Sequence, residues 1–484
     1  MMDSIWTQTC ALHERAPLNG DLETEVAVIG AGLAGVLIAS ALQDAGKRVV
    51  ILEADRIASG QTRNTTAKLT SQHGAIYRKL TDTLGEEKAR QYAMANEAAL
   101  AAYRRVIAER KIDCDLEEQC AYVYGDDAEA LRAEAKCAAA LGLPASFTEE
   151  APLPFPVAGA VRFEHQAQFH PLKFLRVLAE PLTIYEHTRV RKAEEHRLLT
   201  EGGAVTAEKI IFACHYPFVN FPGFYFARMH QERSYVLALE NAPPMDGMWI
   251  FAEGSKHPYS FRTWNQFLLL GGGGHRCGEN SAGGRYEALR KMAQTWFPGS
   301  REAAHWSAQD CVTGDGVPYI GQYAASRPDW YVATGFQKWG MTTSMAAAML
   351  LRDRICGHKN PYAQVFDPGR FDTETVPGIW EESGQAVKGL ARRFFQIPAE
   401  TAGKLAPGHG GVVFLDGKKL GIYKDVDGTI YPVDVRCPHM GCQLEWNPDE
   451  KSWDCPCHGS RFDCYGHLIS GPAQTGTNEE ENNA

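Results

Sequence analysis

The sequence predicts an α/β domain built on a parallel sheet, an antiparallel sheet roofing it, and a small all-β domain at the C-terminus. Three observations carry this. Glu25 to Ile29 is a Val/Ile-rich run followed at once by Gly30-Ala31-Gly32-Leu33-Ala34-Gly35, an Ala- and Leu-rich stretch to about Ala45, and a second apolar run from Lys47 to Leu52. That is strand, tight turn, helix and parallel strand. Tyr235 to Gly274 alternates apolar and polar residues, the period of half-buried antiparallel strands. Gly410 to Ala473 is again β-rich, with Asp427-Gly428 marking a hairpin turn.

The first element is the most informative. Gly30 permits the turn, Gly32 lets backbone approach a pyrophosphate, and Gly35 lets the helix pack close to the strand. The helix N-terminus offers free N–H groups and the positive end of its dipole. Glu53 ends the second strand, eighteen residues after Gly35, and can accept hydrogen bonds from a ribose diol. The chain therefore starts with a Rossmann-like dinucleotide site. Gly271 to Gly274 lacks the third glycine offset and is not a second one. With no second fingerprint, no separate NAD(P)H domain is expected.

Ala58 to Lys68 is rich in small polar residues and reads as loop or helix start. Two amphipathic helices are expected between Glu86 and Arg110, and another from Ala128 to Leu143. His170 precedes Pro171 at a helix start and reads as a structural or capping residue. Strands are expected at Thr183 to Val190, Lys209 to Cys214 and Tyr331 to Thr334, and a helix from Ser344 to Ile355. Ser383 to Phe395 reads as a helix or linker, and Thr475 to Ala484, with three Glu and no apolar anchor, as a disordered tail. No internal repeat is visible.

The C-terminal domain carries Cys437-Pro438-His439-Met440-Gly441-Cys442 and Cys455-Pro456-Cys457-His458-Gly459-Ser460. This is C-x-H, fifteen residues, then C-x-x-H. Two Cys and two His suit either zinc or an iron–sulfur cluster. Each short loop supplies one Cys and one His, unlike the usual zinc finger. Two Cys on one iron and two His on the other would be a Rieske [2Fe–2S] centre.

Length and composition bound the rest. A chain of 484 residues allows two to four domains, and 44% hydrophobic with 22% charged residues is ordinary globular material. A formal net charge of −10 argues against a nucleic-acid partner. Besides the four Cys of the C-terminal motif there are nine, at 10, 114, 120, 137, 214, 277, 311, 356 and 464, without framework spacing. Such scatter suggests reduced thiols and a cytoplasmic location. No apolar signal segment opens the chain. The apolar run Val26 to Leu42 is explained by the dinucleotide motif, so no membrane span is expected.

The C-terminal motif resembles a Rieske domain in detail. The resemblance assigns Cys437 and Cys455 to one iron, His439 and His458 to the other, and Cys442–Cys457 to a disulfide joining the cluster loops. Ser460 matches a serine that bonds a bridging sulfide in high-potential members, while Phe462 replaces a tyrosine that bonds a cysteine sulfur. Losing that bond implies a potential below the top of the family's roughly −150 to +300 mV range. Gly471-Pro472-Ala473 resembles the proline loop covering such clusters.

The first two-thirds resembles the D-amino-acid oxidase-like FAD-dependent oxidoreductases. The resemblance implies an FAD-binding domain from segments near 22–85, 180–220 and 310–360, and a substrate or roof domain from 86–180 and 225–305. The oxidoreductase would span 1–380, a linker 381–405, the Rieske domain 406–474 and the tail 475–484. It implies flavin contacts at Thr65, Thr66, Lys68, Val190, Ala213, Gly335, Lys338, Gly340, Met341 and Thr342. Arg63-Asn64-Thr65-Thr66 alters the usual R-N-x-G form. Cys311 matches poorly the position at which some relatives carry flavin covalently. Arg262 and Tyr259 on the roof are substrate-pocket candidates, where an Arg could clamp a carboxylate; Tyr235, His275 and Lys338 are weaker ones. No general base is assigned.

The resemblance implies oxidation of a C–N bond in an amine or amino acid. A flavin takes two electrons and a Rieske cluster passes one. The fusion implies a converter that sends electrons from reduced FAD through the cluster to an external carrier. Leu269 fills the place where many oxidases of the family carry an oxygen-activating Lys, which implies a dehydrogenase. The alternative is a reductase, or a redox sensor or carrier, in which cluster and flavin exchange electrons without an amine substrate.

Overall fold

The computed structural model describes residues 3–370, 405–415 and 418–478. The expected helix or linker at 383–395 lies outside these residues.

The first sheet has the strand order Tyr319–Ala324, Arg327–Thr334, Gly203–Phe212, Leu22–Ile29, Val49–Leu52, Thr183–Tyr185. Four of the five pairings in this order are parallel, all but that between the first two strands. Val26, Val28 and Ile51 are buried on one face and Ala27, Ile29 and Val50 on the other. This two-sided burial explains why the strands read as unbroken apolar runs. The helix Leu33–Asp44 packs on one side, against the helix Gly340–Ile355.

The second sheet, the roof, runs Arg301–Thr313, Met229–Glu240, Phe267–Arg276, Ser260–Trp264, Met248–Phe251, Glu117–Gly125, Gly159–Gln168, Lys68–Leu69. It is antiparallel except where Met248–Phe251 pairs in parallel with Glu117–Gly125. The expected roof segment ended near 305, but the edge strand continues to Thr313. Lys68–Leu69 joins the far edge, so the expected flavin loop feeds directly into the roof. Two smaller sheets, His409–Leu415/Lys418–Lys424/Ile430–Val433 and Glu445–Asn447/Ser452–Asp454/Arg461–Asp463/Leu468–Ser470, form the C-terminal domain. Asp425-to-Gly428 closes the hairpin between the second and third of these strands.

Several boundaries differ from expectation. Glu86–Glu109 is one helix of 24 residues rather than two. It contains no Gly or Pro and is rich in strong helix formers, while Ala89, Tyr92, Ala93, Asn96, Ala99, Leu100, Tyr103 and Ile107 keep one continuous buried stripe. The strand at Thr183 stops at Tyr185, not Val190. Glu186 turns in to accept the N–H groups of Arg15 and Ile57, and His187 adopts a left-handed φ of 49°. The helix expected from Ser344 starts at Gly340, once the left-handed turn at Gln337 has redirected the chain. The tail is packed as far as the description extends: Thr477 donates its N–H to the Gly466 carbonyl, and Asn478 accepts from the Asp434 N–H. His170 caps the helix Pro171–Ala179, as expected, by accepting the Lys173 N–H. Among the described residues no helix is long and apolar enough to cross a membrane.

Candidate active site and metal centre

A cavity of about 1210 Å³ lies between the parallel sheet and the roof. One end is walled by Gly30, Gly32, Glu53, Val190 and Ala213, the other by Lys68, Gly335, Lys338, Gly340 and Met341. Gly30 sits at φ +105°, and a Cβ there would fall 2.7 Å from the Ala213 carbonyl oxygen. One on Gly35 would fall 1.9 Å from the Gly30 oxygen. Gly30 and Gly35 are thus required by backbone packing, whereas a Cβ on Gly32 would meet only Thr62 Oγ1, at 3.4 Å. Glu53 is half-buried and accepts the N–H groups of Ala31 and Asp55. Burial pushes its carboxyl up, against those two bonds.

The strap from Gln61 to Lys68 is held from outside the cavity. Trp6, on the short helix Ile5–Thr9, donates to the Thr65 carbonyl. Thr62 accepts the Leu33 N–H at the start of the fingerprint helix. Thr65 folds onto the Ala67 N–H, and Thr66 lines the cavity. Neither Trp6 nor Thr62 was singled out from sequence, because their contacts reach 59 and 29 residues along the chain. Lys68 is buried in the cavity wall, its Nζ donating to the Trp249 carbonyl at 3.2 Å. Burial, with Arg262 beside it, pulls its pKa down to about 7.

Thr342 is placed differently from the expectation. Its hydroxyl exchanges hydrogen bonds with the Thr70 N–H and carbonyl, tying the second helix to the strap, and it does not line the cavity. Met341 lines the cavity and accepts the Tyr103 hydroxyl on its carbonyl. The helix Gly340–Ile355 has no side-chain cap, and Gly340 at its first turn faces the cavity. Cys311 is buried, with its Sγ directed at the His215 carbonyl.

The two faces of the roof sort the remaining candidates. On its two outermost strands His230, Glu232 and Ser234 pair with Val312, Asp310 and Ala308, and all six line the cavity. The intervening Gln231, Arg233 and Tyr235 point to the back. Tyr235 and His275, expected at the substrate, are hydrogen-bonded to each other on that back face at 3.0 Å. Tyr259 packs there edge-on to Trp296. Arg262 points forward but does not reach the cavity: its guanidinium donates to the carbonyls of Thr66 and Ala67 and supports the strap. Arg262 is therefore no carboxylate clamp in this geometry. Of the five candidates only Lys338 meets the cavity with its charged end, paired to Glu232 at 2.9 Å.

Glu232 and Asp310 stand directly opposite across the strand pair, an arrangement that costs energy unless a cation intervenes. The bond from His230 and the charge of Lys338 hold Glu232 down to about 2. Burial pushes Asp310 up to about 7, with Lys338 working against the shift. Two neighbouring carboxyls with such separated pKa values are the arrangement acid–base chemistry uses. Asp310 went unnoticed in the sequence because only strand register brings it to Glu232.

The four expected cluster residues converge in the C-terminal domain. The Cys437 thiol faces Cys455, Ser460 and the N–H groups of His439 and Met440. The His439 and His458 rings lie 4.9 Å apart, edge to face. His439 uses Nε2 on the Asn220 Oδ1 at 2.8 Å, while its buried Nδ1 has no partner. A buried, orphaned imidazole nitrogen in the loop whose Cys437 faces Cys455 fits an iron ligand. Cys442 and Cys457 form a disulfide. Their sulfurs lie with Cys455 Sγ within 4.8 Å of one another, but the two bonded sulfurs are not available as ligands. Ser460 Oγ also accepts the Ala473 N–H, fastening the proline loop over the site. Phe462 is fully buried against Trp453 and offers no hydroxyl.

The cluster loops rest on the back of the roof. Gln231 donates to the His458 carbonyl at 2.6 Å, and Gln309 to the Gly459 carbonyl at 2.7 Å. Deeper in the contact, buried Arg233 lies 3.8 Å from Glu450 and 3.6 Å from Asp454, and Arg461 lies 3.2 and 3.4 Å from the same two carboxylates. Burial opposes charge on both carboxyls, yet the two guanidiniums hold both below the usual range. Arg461, Ser470, Gly471 and Gln474 reach round the sheet edge to the cavity itself.

These features define a two-centre flavin and iron–sulfur oxidoreductase. Residues 25–354 match the FAD dependent oxidoreductase family, and 396–479 match the Rieske [2Fe-2S] domain. The chain belongs to the FAD-dependent oxidoreductase family and carries a C-terminal Rieske domain; its cofactors are FAD and a [2Fe–2S] cluster. It is 34% identical to YhfW of Bacillus subtilis (strain 168), a protein named for a Rieske 2Fe-2S iron–sulfur centre, across 97% of this chain and 96% of that one. Among solved structures, glycine oxidase from Geobacillus kaustophilus superposes with a TM-score of 0.60 at 20% identity, covering 72% of this chain and all of that one. L-Proline dehydrogenase from P. horikoshii gives 0.59 at 16% identity, covering 73% and 98%. The structural likenesses establish the fold of the first two-thirds.

Proposed function

We propose that this protein is a dehydrogenase that oxidises a C–N bond of an amine or amino acid and sends the electrons through the Rieske cluster to an external one-electron carrier. The observation that carries the reading is the two-faced roof: its front lines the flavin cavity and its back seats the cluster loops. A single β-sheet, on the order of 10 Å thick with its side chains, then separates the two centres. Support for the substrate class comes from the solved relatives, which are named for glycine and L-proline.

Bound FAD supplies a two-electron acceptor for hydride. Gly30, Gly32, Val190 and Ala213 would hold its nucleotide half, with Glu53 at the ribose. Thr66, Lys68, Gly335, Gly340 and Met341 would hold the ring half. The positive end of the helix at Gly340 favours negative charge next to it. Cys437, Cys455, His439 and His458 would ligate the cluster. On the roof, Glu232 and Lys338 fix each other, leaving the Asp310 carboxyl to meet a substrate ammonium and take its proton. This titratable face supports an enzyme over a carrier without substrate.

The test is anaerobic stopped-flow absorbance of the holoprotein against a panel of amines and amino acids. Flavin bleaching followed by cluster reduction is expected. No bleaching with any compound, together with reduction of both centres by a reduced carrier protein, would replace this reading with the reductase one.

A further inference from the structure

The back of the roof raises a narrower question: which side chains connect the cavity with the cluster. Gln231 and Gln309 are both buried. They sit on adjacent strands, and the Gln309 amide donates to Gln231 Oε1 at 2.5 Å as well as to the Gly459 carbonyl. Gln231 in turn donates to the His458 carbonyl. The pair therefore grips two consecutive carbonyls of the second cluster loop, one belonging to an expected iron ligand. The fit is close, since a Cβ on Gly459 would fall 2.7 Å from Gln231.

The same glutamines meet the cavity through His215. This residue follows the strand Gly203–Phe212, lines the cavity, and adopts a left-handed φ of 69°. That conformation is costly for a side chain with a Cβ and persists only where the surroundings enforce it. The enforcement is visible: Thr334 Oγ1 donates to the His215 carbonyl at 2.6 Å, and Cys311 Sγ is directed at the same oxygen. The ring faces the Gln231 side chain and the Gln309 backbone, with its buried Nε2 left without a hydrogen-bond partner. Burial keeps the imidazole neutral, down to about 4, so the contact adds no buried charge to the path. From the cavity side Gln61 accepts the Gln309 N–H at 2.6 Å.

We infer that His215, Gln231 and Gln309 form the bridge that couples the flavin cavity to the cluster, with the two glutamines as positioning residues that hold the His458–Gly459 loop at transfer distance. This rests on the dehydrogenase reading above. Each transfer takes one electron from the reduced flavin and converts one cluster iron from ferric to ferrous. Two transfers return the flavin to its oxidised form, its protons leaving to solvent. An external one-electron acceptor empties the cluster between them.

The experiment is flash photoreduction of the flavin in the anaerobic holoprotein, with flavin reoxidation and cluster reduction followed together by absorbance. It needs no amine substrate. In Gln231→Met/Gln309→Met, which removes both amide donors without adding charge, cluster reduction should slow at least tenfold, with the cluster's EPR signature and midpoint potential unchanged. Tyr286→Phe, which loses an interface hydrogen bond to Glu450 away from the bridge, should transfer at the parental rate. If the double variant fails to fold, Gln309→Met alone and His215→Asn, which tolerates the left-handed turn, carry the same comparison. Parental rates in the bridge variants, or slowing accompanied by a shifted potential, would overturn the bridge. Absence of transfer in the parent protein would overturn the dehydrogenase reading, and the bridge with it.

Discussion

At the scale of single residues, Asp310 is the side chain whose environment is least at ease. Its carboxyl is pushed up to about 7 in the fold, whereas an unfolded Asp releases its proton near 4. The folded state therefore holds the extra proton between those values, and stability falls as pH rises through about 7. Asp310→Asn removes that penalty. Its melting temperature should exceed the parent's at pH 8, by the equivalent of ~1 kcal/mol or more, and match it near pH 4. An advantage of equal size at both pH values would show that the carboxyl does not carry a raised pKa. The glycine fingerprint with its trailing acid and the Cys/His motif were legible in the sequence because each is a spacing within a short segment. Asp310, Gln231, Gln309 and Thr62 were not, since their roles arise from partners tens of residues or more away.

At the scale of elements, the roof strands explain both the successes and the errors. The alternation from 235 to 274 identified the sheet, but alternation does not say which parity faces the cofactor. The side chains of Tyr235, His275 and Tyr259 pack on the back, with Tyr235 bordering the cavity from its strand and the other two one residue from positions that line it. A slip of one residue exchanges every side chain between faces. The same parity places Arg233 on the back, buried between Glu450 and Asp454. Arg233→Ala would leave Arg461 alone against two buried carboxylates, a loss of about 3–5 kcal/mol by the measure of other buried pairs. The expected signs are a lower melting temperature and faster proteolytic release of the C-terminal domain. An unchanged digestion pattern would show that docking does not depend on this network. Both carboxyls are held below the usual range, so the contact is complete above that range and weakens as pH falls beneath it.

At the scale of the whole molecule, the domain order was readable and the way the domains sit was not. Nothing local to the cluster motif indicates that its second loop lies behind the roof, or that Asn220 meets His439. Under the proposed function, this arrangement would give reduced flavin an exit within the same chain. The expected oxygen-activating position, Leu269, is a buried core residue; the lysines that line the cavity are Lys68, approaching from the strap, Lys79 and Lys338. As a dehydrogenase, the protein should form hydrogen peroxide under air at less than about a tenth of its turnover with an artificial one-electron acceptor. Peroxide produced in step with substrate consumption would make it an oxidase.

The glycines at the domain contact bear on how such an enzyme is put together. A Cβ on Gly278 would fall 2.6 Å from Pro456 in the second cluster loop, much as one on Gly459 would strike Gln231. Each partner thus surrenders a side chain so that the other can approach. A Rieske module grafted onto an unrelated glycine- or proline-oxidising scaffold would meet an ordinary surface there and be held off by an ångström or more. Transplanting the circuit would require carrying both recesses along with the ligands, and a chimera's first defect would be one of fit rather than of iron chemistry.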